Sequence, residues 1–262
     1  MPAIAGLENF PGEVIHSHSY REPTRYKDQR VMVVGAGSSG KDISLELSDY
    51  ATSVYLCNIG PTVPSTLPSN VEQLPAIASI QSDGTVCFVN GKERCADSIV
   101  LCTGYHYSFP FLTEESGIRV ENKRIMRLYK HTFNVVHPSM AIMGVNFQVT
   151  PFPYFDLQAL WILSVWSGQK QLPLTTEMIQ DSDQEYQSRL EEGLPPHYAH
   201  RMGSKQWAFF NELAHLGGSE PLNPVIRMLY DEAAKGRRYN LTTYRSKNYK
   251  ILSKEKWIEI NN

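Results

Sequence analysis

Val31-Met32-Val33-Val34 runs straight into Gly35-Ala36-Gly37-Ser38-Ser39-Gly40. With Arg30, the first four residues predict a strand buried on both faces, because a near-continuous β-branched run has no polar side to offer water. The Gly-x-Gly-x-x-Gly run then turns the chain into a helix over 38–50, on which Ile43 and Leu47 stack at a spacing of four. A second strand over 52–57 carries Val54 and Leu56 in alternation. Two parallel strands joined by a helical crossover make a βαβ unit, so the fold class is α/β.

The glycines have separate duties. Gly35 permits the tight turn, Gly37 lets a pyrophosphate approach the backbone with no Cβ in the way, and Gly40 allows close helix–strand packing. The helix N-terminus offers unpaired N–H groups and the positive end of its dipole. Ser38 and Ser39 add hydroxyl donors, so Gly35, Ala36, Gly37, Ser38, Ser39 and Gly40 form the candidate phosphate cradle. The strand before it and the helix after it lift nucleotide binding above a merely structural glycine turn. The end of the second strand should select the nucleotide. Cys57-Asn58-Ile59-Gly60 has no acid to hold ribose hydroxyls, which argues against NAD, and no Arg or Lys to meet a 2′-phosphate. Asn58 suits either cofactor, and the choice leans to NADP.

Around this unit the chain reads in pieces. Residues 1–28 form a polar lead-in, read as loop. The stretch 60–75, rich in Pro, Ser and Asn, reads as irregular. Residues 85–89 make a strand, Asn90-Gly91 a hairpin turn, and residues 98–102 another strand leading into Thr103-Gly104-Tyr105. Residues 140–144 read as a short strand, Pro151–Phe155 as an aromatic loop, and 156–167 as a helix burying Leu157, Leu160, Trp161 and Ser164. Gly168 stops that helix, and the final third alternates polar helices with loops.

Bulk properties narrow the function. At 262 residues, 42% hydrophobic and 20% charged, the chain has length for a sizeable core and the composition of a folded protein. A net charge of -2 gives no electrostatic case for nucleic acid, and the run Lys235-Gly236-Arg237-Arg238 reads as a solvated loop. The N-terminus has no signal-peptide pattern and no apolar stretch is long enough to span a bilayer. Cys57, Cys87, Cys95 and Cys102 form no Cys-x-x-Cys pair, so they read as reduced thiols in a cytoplasmic protein, with no metal site expected.

Upstream lies a rarer spacing. Phe10-Pro11-Gly12-Glu13-Val14-Ile15-His16-Ser17-His18-Ser19-Tyr20 fills every fixed position of Phe-x-Gly-x-x-x-His-x-x-x-Tyr. Together with the 35–40 fingerprint and Leu101-Cys102-Thr103-Gly104-Tyr105, it resembles the flavin-containing monooxygenase family. Lys130-His131 with Phe133, Ile142-Met143-Gly144 and Gln158-Ala159-Leu160-Trp161 follow in that family's order, so the resemblance covers about two-thirds of the chain. It implies FAD, NADPH and dioxygen. In the family, NADPH reduces the flavin and a flavin C4a-hydroperoxide passes one oxygen atom to a soft nucleophile, amine nitrogen or sulfide sulfur. The cofactor carries the chemistry, so no catalytic side chain is expected.

Carried over residue by residue, the resemblance places Gly35, Gly37, Ser38, Ser39 and Gly40 on the NADPH pyrophosphate. It places Thr103, Gly104 and Tyr105 where the nucleotide domain returns to the flavin domain. Phe10, Gly12, His16 and Tyr20 fall in the incoming connector, and Gly144 and Gln158 near the flavin. It also implies a connector over 1–28, a Rossmann-like NADP-binding domain over 29–107, and over 108–262 the C-terminal part of an FAD-binding domain with an extension. In that family the flavin fingerprint precedes the connector, and this sequence carries one such run. The expectation is therefore an N-terminally truncated member with an incomplete FAD-binding domain. Expected partners are a small nucleophilic substrate and dioxygen, in the cytoplasm, with peripheral association with the endoplasmic reticulum and a homo-oligomer left open. The alternative is a catalytically inactive NADP-binding fragment or interaction module. A disulfide reductase is disfavoured by the cysteine spacing, and a simple NAD-dependent dehydrogenase by the missing acid after Cys57.

Overall fold

In the computed structural model, which describes residues 2–260, the chain divides into two units. One runs to Tyr105 and takes in Asp231–Tyr249 and the stretch from Glu259; the other comprises His106–Tyr230 and Lys250–Ile258.

The first unit contains, in order, β1 (Glu13–His16), β2 (Arg30–Val34), α1 (Ser38–Ser48), β3 (Ser53–Cys57), β4 (Val71–Leu74), β5 (Ile77–Ile80), β6 (Thr85–Phe88), β7 (Glu93–Cys95) and β8 (Ser98–Leu101). Five strands form a sheet in the order β1-β8-β2-β3-β4, every pair parallel. Its centre is apolar on both sides: Val31, Met32, Val33, Ile99, Val100 and Leu101 are all fully buried. Each contributes about 1.5–3 kcal/mol of burial. α1 covers one face with Ile43 and Leu47, which join Val31, Val33, Val54 and Leu56 in a single cluster. β5, β6 and β7 form a separate antiparallel sheet, with Gly91 at φ 80° in the turn that Asn90-Gly91 predicts.

Two stretches read as irregular are strands. Within the lead-in, Glu13–His16 pairs in register with Ser98–Leu101, and Val71–Leu74 extends the sheet beyond β3. Both are four-residue edge strands with two apolar residues each, too few for a periodic signal to stand out. Their pairing comes from the neighbouring strand.

Gly35 and Gly40 show why the turn needs glycine. Gly35 sits at φ 108°, and a Cβ there would lie 2.5 Å from the Cys102 carbonyl oxygen. At Gly40 a Cβ would overlap the Gly35 carbonyl, a backbone group with nowhere to go. Gly40→Ala is expected to destabilise this unit by about 3 kcal/mol, the upper end of overpacking costs. Thermal unfolding checks it, and an unchanged transition would contradict the packing described.

The second unit holds β9 (Val120–Glu121), β10 (Arg124–Ile125), β11 (Leu128–Tyr129), β12 (Phe133–Asn134), α2 (Pro151–Trp166), α3 (Thr175–Glu191) and α4 (Gln206–Gly217). α5 (Pro224–Tyr239) begins in this unit and ends in the first, and β13 (Asn248–Ser253) and β14 (Lys256–Ile260) pair in a two-stranded sheet. The core gathers Phe133, Tyr154, Leu157, Trp161, Phe210 and Leu213 where α2 and α4 pack.

Here too the sequence reading needs correction. The aromatic stretch Pro151–Phe155 is the first turn of α2, because proline at the first helical position forfeits only an N–H that would be unpaired anyway. Leu157, Trp161 and Ser164 are buried as expected, but Leu160 is exposed and Gln158 takes a buried place. Residues 140–144 form no strand. Ala141 makes one bridge to Phe133, and Gly144 at φ 76° breaks the extended run. The basic run 235–238 is helical, in the last turns of α5.

Candidate functional site

The candidate phosphate cradle sits where β2 feeds α1. Gly37 is the N-cap of α1, no side chain caps its first amides, and a Cβ at Gly37 would meet nothing within 4 Å. Gly37 and Ser38 are exposed, Ala36 and Ser39 half-buried, and Gly40 buried. Uncapped helix amides beside open space fit an incoming anion, because the orphan N–H groups and the helix dipole both favour negative charge there.

The two other signature segments meet in the same unit. Parallel pairing of β1 with β8 sets His16 opposite Leu101, two residues before the Thr103-Gly104-Tyr105 turn. His16 Nε2 lies 3.0 Å from the Gly104 carbonyl oxygen, and its Nδ1 accepts the His18 N–H at 3.1 Å. The Nε2 position therefore carries the hydrogen and donates to Gly104. The Tyr105 ring, more than half exposed, stands edge-on to His16 and His18. Phe10 is buried in a second cluster with Met32 and Ile99, and Gly12 lies against the Asp97 carbonyl, where a Cβ would clash. Tyr20 stacks on Tyr26 and donates to Glu46 on α1 at 3.1 Å; burial, then that carboxylate, pushes its phenol well above the usual range.

At the C-terminal end of β3, Asn58 donates to the Pro61 carbonyl at 2.9 Å and helps line a cleft of about 450 Å³. Ala36, Lys41, Thr62, Arg237 and Arg238 line it too. Reading only the end of the second strand finds no cation here, but the fold brings two from α5. The segment after α5 is anchored on this unit. Leu241 is buried in the α1 cluster, its N–H bonds Ser65 Oγ at 2.8 Å, and Arg245 pairs with Asp42 at 2.6 Å.

In the second unit, Gln158 is fully buried with both ends of its amide engaged. It accepts from the Gly144 N–H at 3.0 Å and donates to Thr132 Oγ1 at 2.8 Å. It holds Gly144 from inside the fold.

Sequence reasoning missed a buried polar chain in the same unit. Lys130 and His131 occupy the two central positions of the tight turn between β11 and β12, both at positive φ (47° and 53°). That geometry normally calls for Asn-Gly. Lys130 is held by Asp181 and Glu212, both at 2.7 Å. The Ile125 N–H donates to His200 Nε2 at 2.8 Å, so the His200 hydrogen sits on Nδ1 and points at His131 Nδ1, also 2.8 Å away. His131 then donates from Nε2 to Glu185 at 3.0 Å, and Glu185 also receives Arg189. The Ile125 amide thereby fixes the His200 tautomer.

Burial above all pushes the His200 imidazole down to about 2. Burial alone would raise the Glu185 carboxyl, but His131 and Arg189 hold it well below the usual carboxylate range. Both groups bind protons more readily unfolded than folded, so the stability they give is present at neutral pH and lost as pH falls. Below the ordinary histidine value of 6.5, stability of this unit is expected to fall by about 1.4 kcal/mol per pH unit, more steeply once Glu185 joins. Denaturant titrations from pH 7 to 5 check this. A slope that persists unchanged in His200→Asn would contradict it.

Among the described residues no helix is long and apolar enough to cross a membrane, no group of three His, Cys, Asp or Glu is arranged for a metal, and the four cysteines are free.

Comparison with known proteins accords with this geometry. A family profile described as flavin-binding monooxygenase-like matches residues 1–64 and 61–259. Flavin-containing monooxygenase FMO GS-OX-like 2 of Arabidopsis thaliana is 38% identical over 222 residues, covering 80% of this chain and 47% of the relative. FMO GS-OX-like 9 of the same plant is 35% identical over 252 residues, covering 94% and 54%. The chain thus spans about half the length of the curated relatives it matches. The solved structure of S-allyl-L-cysteine S-oxygenase from Allium sativum superposes with TM-score 0.87 at 33% identity, over 93% of this chain and 57% of that one. Tmm from Pelagibacter sp. strain HTCC7211 shares the fold at TM-score 0.81 and 24% identity, over 100% of this chain and 58% of its own. The α/β fold is that of the flavoproteins with two dinucleotide-binding domains, and the chain belongs to the flavin-binding monooxygenase-like family.

Proposed function

We propose that this chain carries the NADPH-binding unit of a flavin-dependent monooxygenase that uses NADPH and dioxygen to oxygenate a soft nucleophile. The observation that carries the proposal is the uncapped, Cβ-free N-terminus of α1 at Gly37, in the unit where His16 clamps the Thr103-Gly104-Tyr105 turn. The backbone amides of the 37–40 turn and the Ser38 and Ser39 hydroxyls hold the pyrophosphate, and Asn58 stands beside the adenosine ribose. His16 fixes the path of the Gly104 carbonyl, and Tyr105 packs over the connector. Gln158 acts through Gly144, keeping that turn closed beside the flavin. Bound FAD supplies the hydride acceptance and oxygen activation, and the protein supplies position and exclusion of water. Likeness to an S-oxygenase favours a thioether sulfur over an amine nitrogen.

The test is an absorbance spectrum of the purified chain after incubation with FAD and desalting, then NADPH addition under air in the presence of a thioether. A retained flavin band that NADPH bleaches, with sulfoxide formed, is the expected result for the monooxygenase reading. The second reading is an inactive NADP-binding fragment or interaction module. NADPH binding with no flavin retained would replace the first reading by the second.

A further inference from the structure

We infer that α3 is a detachable strap, held on the second unit by a polar seam that acid opens while the core of α2 and α4 stays folded. The helix has little apolar grip. Over Thr175–Glu191 only Met178 and Arg189 are buried, and of these Met178 alone joins the apolar core. Ile179 is exposed. By contrast α2 and α4 pack on each other through Tyr154, Leu157, Trp161, Phe210 and Leu213. A helix without an apolar stripe stays docked only through the polar partners its neighbours supply.

Those partners lie along one side of α3. Met178, Ser182, Glu185 and Arg189 stand at steps of four, three and four, so a single helix face carries the seam. Ser182 Oγ donates to the Leu128 carbonyl at 3.2 Å on β11. From the turn after β11, Lys130 meets Asp181 at 2.7 Å and His131 donates to Glu185 at 3.0 Å. From β10, Arg124 meets Asp183 at 2.8 Å and lies 4.0 Å from the Tyr186 ring. Arg189 donates to the Arg201 carbonyl, in the segment before α4.

His200 makes the seam sensitive to acid. Its ring faces His131, Glu185, Arg189 and Arg124, and Arg127 lines the same small cavity. Lys130, shared between Asp181 and Glu212 on α4, completes the charged surroundings. While α3 is docked, burial and then the neighbouring His131 keep His200 neutral. Once α3 lifts, the imidazole meets water and takes a proton at its ordinary value of 6.5, so each pH unit below that favours release about tenfold. Burial would raise the Glu185 carboxyl, but His131 and Arg189 hold it low, so it adds to the slope only where carboxylates titrate. Off the unit, a 17-residue helix without one alanine is marginal in water, and its amides lose protection as the seam opens.

The experiment is hydrogen exchange of the purified chain, read by mass spectrometry and corrected for the intrinsic rate at each pH. At pH 7, peptides from 175–191 are expected to open at least about tenfold more often than peptides from α2 and α4. Between pH 6.5 and 5.5 their opening should rise by about tenfold. His200→Asn should erase that slope while α3 still opens before α2. Glu185→Gln should raise α3 opening at pH 7 and keep the slope that His200 supplies. Equal protection of α3, α2 and α4 across the range would overturn the inference, because the helix would then belong to one cooperative core. An α3 that opens first with no dependence on pH, or with the same slope in His200→Asn, would also overturn it. The profile of the unaltered chain decides even where a variant does not fold.

Discussion

Gly37→Asp is expected to weaken NADP⁺ binding about 100-fold or more while leaving the fold as stable as before, or slightly more so. The two effects have opposite signs for one reason. Gly37 is the N-cap of α1, its φ of -70° is open to any residue, and no side chain satisfies the first amides of the helix. An aspartate there is a good cap, worth a few tenths of a kcal/mol over glycine. The same carboxylate would occupy the space a pyrophosphate needs, close to 4 Å from its charges, where like-charge repulsion is about 4 kcal/mol at an effective dielectric of 20. Calorimetric titration and a thermal melt read the two effects separately. A variant that binds NADP⁺ normally would show that the glycine turn serves the fold alone.

Glu185→Ala is expected to cost the second unit about 3 kcal/mol, far more than a half-exposed carboxylate on a helix surface normally contributes. Its loss strands two buried donors. Arg189, 3% exposed, is left with the Arg201 carbonyl and the Met202 sulfur, and the His131 Nε2–H with nothing. Removing one partner of a buried ion pair costs more than removing both. Glu185→Leu combined with Arg189→Met should therefore be more stable than Glu185→Ala alone, a non-additivity that denaturant unfolding of the three variants reads directly. Additive losses would mean that Arg189 is solvated and the pair is an ordinary surface contact. The pH dependence argued from His200 belongs to the same chain of hydrogen bonds, so Glu185→Ala should keep the His200 slope and lose only the added steepness in the carboxylate range.

What the sequence shows and what it hides differ by range. Val31–Val34, the glycine turn and the helix after it form one continuous segment, and their patterns are local: a β-branched run, three glycines, apolar residues four apart. The strand over 98–101 and the Asn90-Gly91 turn are legible for the same reason. β1 is hidden because two apolar residues in four carry no period; it becomes a strand through hydrogen bonds to β8, more than eighty residues later in the chain. The arginines of α5 are hidden more deeply. A reader looking for a phosphate partner inspects the end of the second strand, finds Asn58, and stops. Leu241 and Ser65, 176 positions apart, meet in the core and carry Arg237 and Arg238 back to that strand. The alternation of donor and acceptor through His200, His131 and Glu185 is likewise invisible in sequence, since it depends on which ring nitrogen meets which backbone amide. Lys130-His131 does leave a local trace, two residues without glycine in a turn that wants one, but only the positive φ values expose it.

The most direct test of the central claim is a fluorescence titration of NADPH with the purified, folded chain. The account requires saturable binding of one NADPH per chain, displaced by NADP⁺ and by 2′,5′-ADP, and absent in Gly37→Asp. A folded chain that leaves NADPH fluorescence unchanged across the titration, with no competition by either ligand, would contradict it.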